Sequence, residues 1–410
     1  MTLPIKSKFT VKAVLLQVHS IIGLVVALLL TVIALTGVAM SFEDEIQASL
    51  NAGMTHVEAR SVPMLTPDEL MARLQASHEG IKIAAMTLWR DPMTAVHVRF
   101  GRGENGSRPL SIFVDPYDAH VLGTPRGEEF FATVRRLHRW LLIPGDANGY
   151  GRQVTGITAI SLIVMLISGL VLRWPHRTTS IRMWLKPHLG LRGRGLHRSL
   201  HAVIGTWVLP IYLIMTLTGL WYSFDWYKSG AVWLLSRSSA APNDLQPKAP
   251  RAAKAGVKAG AKPDAKSDIA PESKPVALDR LWSTFLRAEG ARYNIVLLNL
   301  PAGAGSIVRV RSWSQEGSLE GPRDEFRIDA KTGEIVSSDL YAEKTIGERM
   351  LMRILEIHRG SIFGWPGKLV FMLAAASMPL FAVTGLLLYL SRRRHQHMSR
   401  QAQMSLVPGE

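Results

Sequence analysis

Four long apolar runs decide what this chain can become. Ala13 to Met40, Gln153 to Trp174, Ala202 to Phe224 and Lys368 to Leu390 are each about as long as the ~20 residues that a membrane-crossing helix needs. A bilayer offers no water to satisfy backbone amides, so runs of this length are predicted as transmembrane helices. Hydrophobic residues make up 47% of the 410-residue chain, which fits that class. The first run is too long for a removed signal peptide and lacks a small-residue cleavage site.

Lysine and arginine placement predicts the orientation, because basic loops are retained in the cytoplasm. Lys6, Lys8 and Lys12 precede the first run, seven basic residues and no carboxylate lie between Arg173 and Arg198, and Arg392, Arg393, Arg394 and Arg400 follow the last run. Together with Glu410 these account for +13 of the formal net charge of +16. The basicity is therefore a topology signal, and no nucleic-acid partner is expected. The expected layout is a cytoplasmic amino terminus (1–12), helix 13–40, exported segment 41–150, helix 151–174, cytoplasmic loop 175–198, helix 199–224, exported segment 225–366, helix 367–391 and cytoplasmic tail 392–410. The chain has no cysteine, which excludes disulfides, thiolate-held iron–sulfur clusters and covalent c-type haem attachment.

An internal repeat organises the whole sequence. "HSIIGLVVALLLTVIALTGVAMSF" (His19 to Phe42) aligns without a gap on "HAVIGTWVLPIYLIMTLTGLWYSF" (His201 to Phe224), with His, Gly, Thr-Gly and Ser-Phe coinciding. "LHRWLLIPGDANGYG" (Leu137 to Gly151) aligns on "IHRGSIFGWPG" (Ile357 to Gly367), which matches His138 with His358, and "ISGLVLRW" aligns on "VTGLLLYL". In the exported segments "LSIFVDPYDAHVLGT" and "FRIDAKTGEIVSS" each read as strand, Asp-containing turn, strand. Helical patterns over Thr66 to Ser77 and Ala277 to Ala288 precede them. Each exported segment is thus expected to form a small α+β domain, and the Ala/Lys/Pro/Gly-rich stretch 238–275 is expected to be a disordered insertion. The fold class is an α-helical membrane protein with four transmembrane helices in two pseudo-symmetric halves.

This layout resembles the PepSY-associated transmembrane-helix family of bacterial inner-membrane proteins, on "VDPYDAHVLG", "IDAKTGEIVS" and the "H-x3-G…LTG" helices. The resemblance covers nearly the whole chain outside 238–275. Members include ferric-siderophore reductases of the ferrioxamine-reductase kind. What the family implies is a haem-bearing protein that passes electrons to periplasmic iron complexes, with PepSY-like exported domains. Some relatives carry a fused flavin reductase domain at the carboxyl end. Here little sequence follows Leu390, so a soluble flavin reductase or membrane quinol is the expected electron donor.

Of thirteen histidines, His56, His78, His97, His120, His176, His188, His395 and His397 lie in segments where solvated or structural roles are expected. Four recur between the halves: His19, His201, His138 and His358. His19 and His201 begin apolar runs, where an ionisable side chain is expensive and marks a functional site by default. The plain alternative is a neutral histidine hydrogen-bonded between helices. The repeat argues for more, since two related helices then present two imidazoles to one axis, as a helix bundle does around a cofactor. Zinc sites collect three or four protein ligands, whereas each level here offers two histidines and no recurring carboxylate. Two axial imidazoles suit a haem iron, so two b-type haems are expected, one on His19 and His201 and one on His138 and His358.

His197, one turn before His201, is a further candidate, although its counterpart is Leu15. His19 to Gly37, His201 to Gly219, Gly151 to Gly169 and Gly367 to Gly385 are all 18 residues apart, which is five helical turns, or about 27 Å of rise. Gly37, Gly219, Gly169 and Gly385 therefore fall beside the opposite histidine pair, and either clear room for a macrocycle or allow close helix packing. Arg136, Arg139, Arg359 and Arg198 are candidate partners for haem propionates. The expected function is a di-haem electron-transfer protein of the bacterial inner membrane that reduces ferric siderophores in the periplasm. The alternative is a non-redox membrane protein that binds or restrains a periplasmic protease or peptide.

Overall fold

The computed structural model describes residues 11–77, 82–101, 111–174, 181–237, 278–290, 292–301, 305–314, 319 and 321–404. His78, His176 and the 238–275 stretch lie outside the described residues. In chain order the first half contains α1 (Val11–Met40), α2 (Glu43–Leu50), α3 (Ala52–Thr55), α4 (Pro67–Ser77), β1 (Ile83–Trp89), β2 (Val96–Phe100), β3 (Ser111–Val114), β4 (Val121–Gly123), α5 (Glu128–Trp140) and α6 (Tyr150–Arg173). After α7 (Ile181–Leu185) come α8 (Arg194–Ser223), α9 (Asp225–Arg237), α10 (Asp279–Glu289), β5 (Ile295–Asn299), β6 (Ile307–Trp313), β7 (Asp324–Asp329) and β8 (Ile335–Asp339). The chain continues through α11 (Ile346–Met352), α12 (Ile354–Arg359), α13 (Gly364–Ala376) and α14 (Met378–Met404). Residues 1–46, 127–231 and 353–410 form one compact unit, and 47–126 with 232–352 form a second.

The first unit is a helical bundle. Val11–Met40, Tyr150–Arg173, Arg194–Ser223 and Ser361–Ser399 are long and apolar enough to cross a membrane, which agrees with the four predicted spans. α1 and α8 each pack against both α6 and α14, so the four long helices close into a ring. Val26, Leu30, Val208, Tyr212, Ala374 and Met378 meet inside it, while Val25 and Leu28 are each 73% exposed on the outside of α1, as lipid-facing positions would be. The fourth span is broken between α13 and α14. Pro379 has no amide to donate, and the hydroxyls of Tyr212 and Ser377 both donate to the Ala374 carbonyl, at 2.8 and 2.6 Å.

The second unit is built on one antiparallel sheet of order β4-β3-β2-β1-β5-β6-β7-β8. The sequence gives each exported segment a domain of its own, whereas the structure joins the strands of both. The reason lies at β1 and β5. Each would be the edge of a four-stranded meander with unpaired N–H and C=O groups, and pairing Met86 with Leu298 and its neighbours removes both edges. Alternation puts Met86, Val98, Ile112, Val296, Leu298, Val310, Phe326 and Ile328 on one face, where α4 contributes Leu70 and Leu74, and α10 contributes Leu281 and Phe285.

The predicted helices and Asp turns occur where expected. α4 begins with a reciprocal cap in which the Thr66 amide donates to Glu69 Oε2 at 2.7 Å and the Glu69 amide to Thr66 Oγ1 at 3.3 Å. Asp68 then caps the neighbouring helix, accepting from the amides of Leu278 and Asp279 at 2.6 and 2.7 Å. In the two strand-turn-strand segments, the carboxylates of Asp115 and Asp329 accept from the amides of Tyr117 and Lys331, at 2.7 and 2.8 Å.

His97 lies on the sheet face opposite that core, 5.1 Å from the Phe113 ring, and its Nε2 is buried with no partner among the described residues. Burial, helped by Arg99, holds its pKa down to about 4. An unfolded chain takes up that proton near pH 6.5. The contribution of His97 to stability is therefore complete above pH 6.5 and declines as pH falls from there toward 4. We expect His97→Leu to flatten the loss of thermal stability between about pH 7 and pH 5. Melting curves with the same pH slope as the parent protein would contradict this.

Candidate functional site

The four recurring histidines meet in two facing pairs inside the bundle unit. His19 of α1 and His201 of α8 have ring centroids 6.3 Å apart and planes at 74°. His138 of α5 and His358 of α12 have centroids 6.3 Å apart and planes at 75°. The two levels thus share one geometry, although α1 and α8 supply the first pair and the shorter α5 and α12 supply the second.

Each ring is held the same way by a neighbouring helix. His19 Nδ1 is hydrogen-bonded to Ser168 Oγ at 2.9 Å, His201 Nδ1 to Thr384 Oγ1 at 2.8 Å, His138 Nδ1 to Thr36 Oγ1 at 3.0 Å and His358 Nδ1 to Thr218 Oγ1 at 2.8 Å. The residue after each hydroxyl is glycine. A Cβ added at Gly169, Gly385, Gly37 or Gly219 would lie 3.3, 3.7, 3.4 or 3.5 Å from the Cε1 of the ring held there. The glycines therefore do fall beside the opposite pair, but the room each one leaves is filled by an imidazole edge. Nε2 of these four rings makes no hydrogen bond among the described residues.

Sequence reasoning singled out the glycines and overlooked Thr36, Ser168, Thr218 and Thr384. The signal was present, since a hydroxyl residue precedes the glycine at the end of each 18-residue interval.

The fit of a metal can be tested on the ring spacing. Imidazole nitrogen binds a transition metal at about 2.0–2.1 Å and the ring centre lies about 1.1 Å behind it, so two imidazoles in line on one ion place their centres about 6.3 Å apart. Both pairs have that separation. Among the described residues no three His, Cys, Asp or Glu side chains gather as a metal site. Each pair can thus supply two imidazole ligands to a group that brings the rest of its own coordination shell, as a porphyrin does.

The family model described as the PepSY-associated TM region matches residues 16–392. The chain belongs to this family. A comparison with curated proteins finds no match to it.

In this PepSY-associated protein the predicted arginines already have protein partners at the second pair. Arg136 Nε is 3.2 Å from Asp146, Arg139 lies over the Tyr222 ring at 5.5 Å, and Arg359 donates to the Met40 carbonyl at 2.9 Å and faces Asp44 at 3.6 Å. Arg135 pairs with Glu43, whose carboxyl is raised above its usual range by burial against the opposing pull of that arginine. A propionate placed here would share Arg135, Arg136 and Arg359 with carboxylates. Arg198 is exposed. His197 is half-buried and makes no side-chain hydrogen bond among the described residues, and the group packed on His201 is instead Phe381, at 5.3 Å.

The glycines at the other ends of the second and fourth helices do a different job. A Cβ on Gly151 would lie 2.1 Å from the Trp140 carbonyl oxygen, and one on Gly367 would lie 2.2 Å from that of Gly360. Here backbone meets backbone, which leaves no flexible side chain to move aside. These contacts bring α5 down beside α6, and α12 beside α13, and so set the second histidine pair. Gly151→Ala and Gly367→Ala are expected to cost more than the about 1–3 kcal/mol usual for overpacking, whereas Gly385→Ala is expected to be accommodated. Thermal melts of the three variants in detergent check this, and equal midpoints would refute it.

Proposed function

We propose that the protein is a di-haem electron-transfer protein of the bacterial inner membrane that reduces ferric siderophores in the periplasm. The observation that carries this reading is the pair of facing imidazoles at each of two levels, spaced for one metal ion, with no third His, Cys, Asp or Glu gathered there among the described residues. His19 with His201, and His138 with His358, would hold the two haems. Bound there, haem supplies one-electron chemistry at an iron whose other four ligands are the porphyrin nitrogens.

The chain's own part is positional. The helices hold four imidazoles in register and exclude water by their apolar packing. The hydroxyls of Thr36, Ser168, Thr218 and Thr384 fix ring rotation. The about 27 Å of rise between His19 and Gly37 puts one pair toward each end of α1, and so toward each membrane face. Per ferric ion one electron crosses, and the donor, a reduced flavin from a soluble reductase or a membrane quinol, is oxidised. The ferrous product binds hard oxygen ligands more weakly and is released.

The lysine and arginine distribution supports placing both termini and the 175–198 loop in the cytoplasm, with the sheet unit exported. We also read the chain as two pseudo-symmetric halves. The equal ring separations and angles at the two levels support this, as does a sheet in which β1–β4 and β5–β8 meet at its centre. The family resemblance is the ground on which a ferric siderophore is proposed as the substrate.

Absorption spectroscopy of the purified protein tests the reading. The expected result is a Soret band that shifts on dithionite and a haem content of two per chain. His138→Ala or His358→Ala should lose one of the two haems and with it ferric-chelate reduction. A folded but colourless preparation would overturn the proposal and favour a non-redox role such as restraint of a periplasmic protease.

A further inference from the structure

We propose that Thr36, Ser168, Thr218 and Thr384 are positioning residues that fix the proton on Nδ1 of His138, His19, His358 and His201, so that each imidazole offers a bare Nε2. This deepens the haem reading and rests on it for its consequence, although the tautomer itself stands on the hydrogen bonds alone.

A hydroxyl has one proton to donate. In each of the four residues a carbonyl one turn earlier in its own helix, which can only accept, lies within hydrogen-bond distance of the hydroxyl and takes that proton on this proposal. Thr36 Oγ1 donates to the Val32 carbonyl at 2.7 Å, Ser168 Oγ to Val164 at 2.7 Å, Thr218 Oγ1 to Ile214 at 2.7 Å and Thr384 Oγ1 to Leu380 at 2.6 Å. What remains to face the imidazole is a lone pair, which can only accept. Nδ1 must then be the donor. At His138 a second acceptor makes the same demand, because Nδ1 is also 2.9 Å from the Ile33 carbonyl.

A neutral imidazole carries a single ring proton. With that proton on Nδ1, Nε2 is left as a lone pair, the form in which histidine binds a metal. The glycine following each hydroxyl completes the hold. It lets Cε1 approach the helix, so the ring is fixed at two adjacent atoms, Nδ1 and Cε1, and Nε2 is the next atom round the ring. Ser/Thr-Gly on one helix and His on its neighbour thus form a unit used four times.

A hydrogen bond from Nδ1–H also raises the basicity of the ligating nitrogen, and loss of such a partner typically costs 10–100-fold in metal affinity. Confined to the ferric state, a tenfold loss corresponds to a rise of about 59 mV in midpoint potential for a one-electron couple.

The test replaces hydroxyl by methyl at nearly constant shape, with Thr384→Val for one pair and Thr218→Val for the other in case the first variant does not fold. Thr384→Ser serves as the conservative rescue. In haem-free protein labelled at histidine nitrogen, nuclear magnetic resonance should report Nδ1–H tautomers at the four rings of the parent, and a loss of that signature at the affected ring in the Val variants but not in Thr384→Ser. In haem-loaded protein the same variants should show a positive shift in midpoint potential at one centre, with the other unmoved. A parent protein whose four rings are Nε2–H overturns this inference whatever its haem content. Haem-loaded variants with unchanged tautomers and potentials overturn it while leaving the haem reading intact. A parent protein with the Nδ1–H signature but no haem overturns the haem reading and leaves the tautomer assignment standing.

Discussion

A polar ring atom inside a lipid-facing bundle must find a partner, and that requirement organises the helices of this protein. In hydrocarbon surroundings an N–H without an acceptor costs about 1–3 kcal/mol or more, so each imidazole has to be answered from an adjacent helix. The answers run in a definite pattern. His19 of α1 is met by Ser168 of α6, and His138 of α5 by Thr36 of α1; His201 of α8 is met by Thr384 of α14, and His358 of α12 by Thr218 of α8. All four hydrogen bonds stay within one part of the chain, either before Trp174 or after Arg194. The facing of rings, in contrast, is always between the two parts. Each part therefore orients one imidazole for each level, and neither part holds a complete pair by itself.

That division explains what could be read from the sequence. The four spans, the histidines that recur and the two strand-turn-strand segments are all encoded by local pattern or by spacing, and each was legible. The 18-residue interval placed Gly37, Gly219, Gly169 and Gly385 beside the opposite histidines because five whole turns return to the same helix face. The purpose of those glycines was not legible. A gap in a helix surface looks the same whether a macrocycle, another backbone or a histidine edge will fill it. Only tertiary contact separates Gly385, which faces an imidazole carbon, from Gly367, which faces a carbonyl oxygen.

The joining of β1–β4 with β5–β8 was hidden for a related reason. Strand pairing within a meander is short-range, and alternation reveals it. The pairing of β1 with β5 links residues far apart in sequence, separated by two membrane-crossing helices. Nothing in the period of either strand announces which edge will meet which. The four hydroxyl residues do not stand out in the sequence, since threonine and serine in an apolar helix usually bond back to their own helix. These do so as well, and it is that internal bond which leaves a lone pair aimed at the histidine.

The positions that break the repeat carry a further consequence. Tyr212 stands where the first half has Leu30, Phe381 where it has Met165, and His197 where it has Leu15. Two of these touch one another and one pair member, since Phe381 lies 6.0 Å from the Tyr212 ring and 5.3 Å from that of His201. The repeated residues make the two levels alike in ring geometry. The unrepeated ones give His201 an aromatic, polar-capped neighbourhood that the corresponding flank of His19, where Met165 abuts Gly23, does not share. Departures confined to one half, beside one pair, thus make the surroundings of the two levels unequal while the matched ring spacing of 6.3 Å is kept.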